Sequence, residues 1–189
     1  HNKAWIVDDT VAIVGGRNIG DAYFDAAETN FRDLDLILVG AAVEQTCRIF
    51  QSFWRSSASR SIAALHAGEA QRGNAGFLTQ AELETDAHLL NGIGDLHPLA
   101  RSIATGDGFH WTDTARVISD PPEKVRGEKA RSWLMRDLLP ILQSTRKSLE
   151  ITPPYFIPGR KGAAILSALV ARRAEVTVLT NSLAATDVA

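Results

Sequence analysis

Residues 3–8 (KAWIVD) and 11–15 (VAIVG) are two short apolar runs rich in β-branched side chains, and the letters DDT lie between them. Runs of five or six such residues are too short for a stable helix. With a polar, turn-forming insert they read as two strands of a hairpin. A third run follows at 31–40 (FRDLDLILVG). Its start alternates, which puts Asp33 and Asp35 on one face, and its continuously apolar end reads as a strand buried on both sides.

The period then changes. Val43, Cys47, Phe50, Phe53 and Trp54 recur at steps of three and four, so 41–56 is expected to be an amphipathic helix packed on the sheet. Residues 57–110 are rich in Ala, Gly and charge, are broken by QRGNAG, and are expected to hold one or two short helices in a peripheral excursion. TARVISD at 114–120 reads as a further strand, stopped by Pro121 and Pro122. A helix is expected over 127–147 on the stripe Ala130, Trp133, Leu134, Leu138, Ile141 and Leu142, kinked at Pro140. The strand SLEIT, the loop PPYFIPG, a helix at about 160–173 and the strand EVTVLT complete the chain. Strands alternating with helices predict an α/β layered domain. No internal repeat is visible.

The 189 residues carry 20 basic and 22 acidic side chains, a formal net charge of −2. No overall attraction to nucleic acid follows from that balance, so any anion site has to be local. Cys47 is the only cysteine, which excludes an internal disulfide and a thiolate metal cluster; on an apolar helical face it reads as a core thiol. No apolar run approaches the ~20 residues of a membrane-spanning helix, and no signal peptide is visible.

Chemistry concentrates in the first eighteen residues. On a strand, positions two apart face the same way, so His1 and Lys3 project side by side. Asp8 has the opposite parity and suits a turn or a buried pair. Gly15 and Gly16 allow close backbone approach, and Asn18 adds an amide that can donate to an oxyanion. Together these groups suit a phosphate: the imidazole can attack phosphorus, the ammonium offsets charge on the equatorial oxygens, and the amide orients them. Taken singly, each has an ordinary reading: a structural histidine, a solvated lysine, a glycine turn, a capping aspartate.

The spacing H-x-K, four residues, D, six residues, G-G-x-N is met without a gap by His1, Lys3, Asp8, Gly15, Gly16 and Asn18. It resembles the HKD motif of the phospholipase D superfamily. GGRNIGDAYF and FRDLDLILVG are similar to the continuation after the first motif in bacterial cardiolipin synthases, and ITPPYFIPGRKG and VTVLTNSLAATDVA to the stretch leading to the second. The resemblance implies a phospholipase D-like layered α/β/α domain with a mixed sheet, here truncated. A first half would span 1–110, with the excursion at 57–110, and the start of a second half would span 111–189.

It further implies phosphatidyl transfer between glycerophospholipids, or hydrolysis, through a phosphohistidine and without a metal or other cofactor. His1 would be the nucleophile, Lys3 and Asn18 the phosphate ligands, Gly15 and Gly16 the open floor and Asp8 a structural partner. Asp33 would orient the histidine, with Asp35 the second choice and a plain surface carboxylate the competing reading. The implied substrate is a phosphatidylglycerol-like phospholipid at a membrane surface, and the implied location is peripheral on the bacterial inner membrane, or cytoplasmic; nucleic acid is not an expected partner. The general acid would come from a second HKD motif in a missing part of the same chain, because His66, His88, His97 and His110 all lack a lysine two residues on. A chain opening on histidine reads as a piece of something longer, poorly active alone.

Two further groups stand apart. Arg160 and Lys161 open the predicted helix, where the helix dipole disfavours cations; they are either headgroup ligands or a solvated basic turn. Tyr155, with Phe156 and Ile157, is either an acyl-chain wall or core at a strand end. The alternatives to phosphatidyl transfer are a nuclease or other phosphodiesterase of the superfamily, or an inactive half-domain that binds anionic lipid.

Overall fold

Asp8 and Asp9 adopt positive φ of 49° and 52°. Short polar side chains tolerate that region, and two such residues in succession make the tight turn whose twist suits an antiparallel hairpin. In the computed structural model, which describes residues 2–61, 64, 97–126 and 133–182, the Thr10 amide closes this turn on the Val7 carbonyl at 2.9 Å. The Thr10 hydroxyl donates to the Asp8 carbonyl at 2.8 Å. The DDT insert is thus the hairpin turn that its residues predict.

The turn joins β1 (Ala4–Val7) to β2 (Val11–Gly15), and β3 (Asp35–Val39) pairs on the other side of β2, all antiparallel. The register sets Trp5 opposite Ile13 and Ile13 opposite Ile37, and sets Gly15 opposite Asp35. Gly40 turns the chain at φ 69° into α1 (Ala41–Trp54). Helix α1 packs against all three strands. Ala12 at the centre of the sheet and Val43 on the helix are 0% and 1% exposed, and Ala42 and Thr46 are buried with them. The Thr46 hydroxyl satisfies itself on the Ala42 carbonyl at 2.9 Å, so its burial leaves no orphan donor.

Three expectations for this part need correction. The apolar end of the third strand is not buried on both sides: Leu36 is 54% exposed and Ile37, Leu38 and Val39 are half-buried. The helical stripe is buried only at its start, because Phe50 and Trp54 lie exposed and stack on each other at 5.9 Å. Cys47 is half-buried rather than core; its thiol donates to an Asp9 carboxylate oxygen at 3.2 Å. Burial and then this carboxylate raise its pKa.

Helix α2 (His97–Thr105) closes the 57–110 stretch; QRGNAG lies outside the described residues. Residues 114–120 form no strand. Instead Gln45 of α1 clips this extended segment: the Val117 amide donates to its side-chain oxygen at 2.9 Å, and its amide nitrogen reaches the Ala115 carbonyl at 3.5 Å. A side chain has taken the place of a ladder partner. Asp120 then accepts from the Leu134 amide at 3.0 Å in the first turn of α3 (Trp133–Ser144) and pairs with Lys124. Helix α3 continues through Pro140; Ala130 and the Trp133 side chain lie outside the described residues.

Strands β4 (Ser148–Ile151) and β5 (Glu175–Val178) are parallel, with α4 (Gly159–Ala171) as the crossover between them. Helix α4 ends in a Schellman motif: the Ala174 amide reaches the Leu169 carbonyl at 3.1 Å and the Arg173 amide reaches Val170 at 2.8 Å. Arg173 takes the left-handed position at φ 65°, where glycine is more usual. The apolar contact that accompanies this motif has its counterpart in Leu169 and Ala174, which are 1% and 5% exposed. The α/β alternation is as expected, but the described strands form two small sheets, one antiparallel and one parallel, rather than one mixed sheet. Among the described residues no helix is long and apolar enough to cross a membrane.

Leu169→Ala is expected to destabilise the fold by about 2–5 kcal/mol, read as a lower midpoint in urea at unchanged slope. The Asp120 pKa is lowered, first by the Lys124 hydrogen bond and further by the Leu134 amide. A depressed carboxylate pKa contributes stability that is complete above the unfolded value, near ~3.9, and is lost as pH falls through the folded value. Asp120→Asn is therefore expected to lower the melting temperature at pH 7 and to lose that penalty progressively below about pH 4; an equal penalty at pH 7 and pH 2.5 would contradict the assignment.

Candidate functional site

The open end of the hairpin, away from the Asp8–Asp9 turn, is shaped by two missing side chains. A Cβ on Gly15 would stand 1.8 Å from Oδ1 of Asp35 and 2.9 Å from its Cα; one on Gly16 would stand 2.4 Å from Oδ1 of Asp33. The two carboxylates fill the space that larger residues would take. This is why GG stands at the end of β2, and it joins the glycines to the acidic positions at the start of the third strand.

Two carboxylates on neighbouring positions need a cation, and Arg17 supplies it. Its Nε donates to Asp35 Oδ2 at 2.7 Å, its Nη1 donates to the Tyr23 carbonyl, and its guanidinium carbon lies 5.8 Å from the centre of the Phe24 ring. The Asp35 hydrogen bond, with the charges of Asp35, Asp33 and Asp25, raises the Arg17 pKa against the opposing effect of burial. The chain from Gly16 to Leu34 is held close to this cluster. A 3-10 turn at Asp21–Tyr23, a hydrogen bond from the Phe31 amide to the Ala22 carbonyl at 2.8 Å and the Tyr23–Phe31 ring contact at 5.0 Å fasten it.

Within this scaffold Asp33 differs from Asp35. Its Oδ2 is buried and, among the described residues, accepts no hydrogen bond. A buried acceptor without a donor costs about 1–3 kcal/mol, so this oxygen marks a place where a donor would be stabilised. Asn18 is exposed, and its amide donates to the Tyr23 hydroxyl at 2.7 Å, so an anion approaching it meets an amide whose orientation is already set. Lys3 is half-buried and stands one position before β1. It directly precedes Ala4, which pairs with Val14 beside the Gly15–Asp35 pair of the next ladder.

The structure thus gathers Gly15, Gly16 and Asp33 at one edge of the antiparallel sheet, with Asn18 tied to the chain that encloses them and Lys3 just before β1 at the same end. Asp8 is not with them: it sits in the turn at the opposite end of β1, about 16 Å along the strand at ~3.3 Å per residue. Tyr155, in the loop after β4, and Arg160 and Lys161, in the first turn of α4, belong to the parallel sheet instead. The reading of Tyr155, Phe156 and Ile157 as core is corrected, since they are 48%, 38% and 87% exposed. His1 lies outside the described residues. Sequence reasoning missed Arg17, Tyr23 and the part played by Asp35. The available signal was charge balance: two acids on one face of β3 require a partner, and Arg17 directly follows the glycines they touch.

Among the described residues no group of three or more His, Cys, Asp or Glu is placed to hold a metal ion. Chemically, the edge offers a cation, a fixed amide and a buried carboxylate oxygen with unspent acceptor capacity around an open backbone turn. That set suits binding of an anion together with orientation of an N–H donor.

No family model and no solved structure matches the chain. Among curated proteins it is 37% identical over 195 residues to cardiolipin synthase C of Escherichia coli (strain K12), a match covering 100% of this chain and 41% of that protein. An uncharacterized protein of Helicobacter pylori (strain ATCC 700392 / 26695) is 30% identical over 201 residues, covering 99% and 38%. Cardiolipin synthase of Alkalihalophilus pseudofirmus is 28% identical over 171 residues, covering 89% and 26%. The chain therefore spans 41% or less of the length of these three relatives.

Gly15→Ala is expected to cost about 1–3 kcal/mol in urea unfolding, because its Cβ meets backbone as well as carboxylate. Gly16→Ala should cost less, since there the Asp33 carboxylate alone has to move. The reverse order would show that the carboxylates do not occupy the space above the glycines.

Proposed function

Taking the chain as a cardiolipin synthase-like fragment of the phospholipase D superfamily, we propose that it carries the first catalytic half of a phosphatidyltransferase whose nucleophile is His1. The observation that carries this reading is the buried, unpartnered Oδ2 of Asp33 beside Gly16. His1 stands two positions before Lys3 on the chain that leads into β1 at this edge. In this proposal its imidazole N–H donates to the carboxylate oxygen that has no donor among the described residues, which would fix the tautomer and stabilise the imidazolium.

In this reading a phospholipid phosphodiester binds over Gly15 and Gly16, with its non-bridging oxygens against the Lys3 ammonium and the Asn18 amide. Arg17 takes no direct part; it neutralises Asp35 and so keeps the net charge of the edge favourable to an anion. The free imidazole nitrogen attacks phosphorus, the bond from phosphorus to the head-group oxygen breaks, and the released alcohol takes a proton from a general acid supplied by a second motif elsewhere in the protein. The hydroxyl of a second phospholipid then attacks the phosphohistidine and loses its proton to that same group, which restores His1. With a phosphatidylglycerol-like acceptor the product is cardiolipin; with water the reaction is hydrolysis. No cofactor takes part in these steps.

The finer architecture belongs to the same proposal: a layered α/β/α arrangement in which residues 1–110 form the first half and the second begins at 111. The Gln45 clip onto 115–117 supports it, because it ties the helix of the first half to the entry of the second. The protein would work peripherally at the bacterial inner membrane, where its lipid substrates are.

The test is made on the complete protein with labelled phosphatidylglycerol in detergent micelles and, in parallel, with single-stranded DNA. His1→Ala is expected to abolish phosphatidyl transfer. Asp33→Asn should lower kcat on the order of 10²–10⁴-fold with little change in KM, as for loss of the group that orients a catalytic histidine. Turnover of DNA alone would replace lipid by nucleic acid as the substrate. Full lipid turnover by His1→Ala would remove the phosphohistidine.

A further inference from the structure

The parallel strands β4 and β5 end side by side. The Leu179 amide donates to the Ile151 carbonyl at 2.9 Å, and the Thr180 hydroxyl donates to the Pro154 carbonyl at 3.5 Å, so the chains leaving the two strands run next to each other. Both carry large apolar side chains into solvent. Ile157 is 87% exposed, Leu179 68%, Tyr155 48% and Phe156 38%. Soluble surfaces carry single apolar residues without consequence, but two aromatic and two aliphatic exposed side chains on adjoining chain segments point to an interaction surface.

The tip is also stiff. Pro153, Pro154 and Pro158 bracket the three exposed residues 155–157, and the fixed φ of proline lowers the entropy lost when such a loop is immobilised against a partner. Along the chain that follows β4, through α4, every charge is basic. From Ile151 to Ala174 the sequence holds no Asp or Glu, and Arg160 and Lys161 follow directly behind the apolar tip, both exposed. An apolar protein partner would be met equally well by neutral or mixed flanks. A cationic collar directly behind an aromatic-aliphatic tip instead matches an anionic bilayer, in which hydrocarbon lies a few ångströms beneath a layer of negative head groups.

We propose that the 153–161 loop, with Leu179 beside it, is an interfacial wedge: Ile157 and Phe156 enter the acyl region of an anionic lipid surface, Tyr155 sits at head-group level, and Arg160 and Lys161 bind the lipid phosphates. The inference rests on the phosphatidyltransferase reading only in supplying a reason for the protein to be at a membrane. It concerns a different part of the fold from the hairpin edge and assigns no chemistry to it.

The experiment is co-sedimentation of the full chain with vesicles of phosphatidylcholine alone and of phosphatidylcholine with phosphatidylglycerol, with no turnover measured. The chain is expected to bind the phosphatidylglycerol vesicles selectively and to bind them less at high salt. Ile157→Asp should weaken that binding by about tenfold or more, since it puts a charge where the side chain enters hydrocarbon. As Ile157 is almost fully solvated, its melting temperature should not change. Arg160→Glu with Lys161→Glu should remove the preference for phosphatidylglycerol and the salt dependence, at roughly fivefold or more per position. Unchanged vesicle binding by Ile157→Asp overturns the wedge. So does a change in self-association or in capture of a protein by that variant with vesicle binding intact, which would make the tip a protein-docking site. Neither result bears on His1, whose test is turnover in micelles; conversely, an inactive motif leaves vesicle binding by this loop unaffected.

Discussion

Everything at the hairpin edge follows from carboxylates occupying the space of absent side chains. Asp33 and Asp35 lie where Cβ atoms of Gly16 and Gly15 would be, and two acids so close to each other are tolerable only because Arg17 is drawn between the sheet and the Tyr23 carbonyl. That single ionic arrangement sets the path of residues 16–34, brings Tyr23 to Asn18 and leaves one Asp33 oxygen buried with its acceptor capacity unused. The cost is that no residue in the set can be replaced independently of its neighbours.

The other organising feature is the use of side chains where the backbone has no partner. Gln45 pairs the backbone of 115–117 and Asp120 caps the first turn of α3. In both cases a polar side chain from one element satisfies main-chain groups of another, as buried or half-buried backbone requires. These clips fasten the route from the antiparallel sheet to the parallel one without a shared β-ladder. They also explain why a segment with every compositional mark of a strand is not one.

How much was legible differs from residue to residue for identifiable reasons. The hairpin, the helix at 41–54 and the β4–α4–β5 unit could be read because turn chemistry and periodicity are local. The pairing of Gly15, Gly16, Asn18 and Asp33 was legible only as a spacing that resembles a known motif, and no local rule connects Gly16 to an aspartate seventeen positions on. Arg17 was passed over because a single arginine in a loop has no periodicity. The exposure of Phe50, Trp54, Tyr155 and Ile157 was misjudged for a related reason: hydrophobicity states that a side chain gains from burial, and not that anything is there to bury it.

By itself, then, the order of residues determined the hairpin with its tight turn at Asp8–Asp9, the helix that follows it and the β4–α4–β5 unit, because each depends on neighbours a few positions apart. Only the tertiary structure decided which acid faces which glycine, which cation balances them, and which apolar groups end in water. Those are matters of pairing between distant strands, and the energies that settle them come from electrostatics and packing across the chain rather than along it.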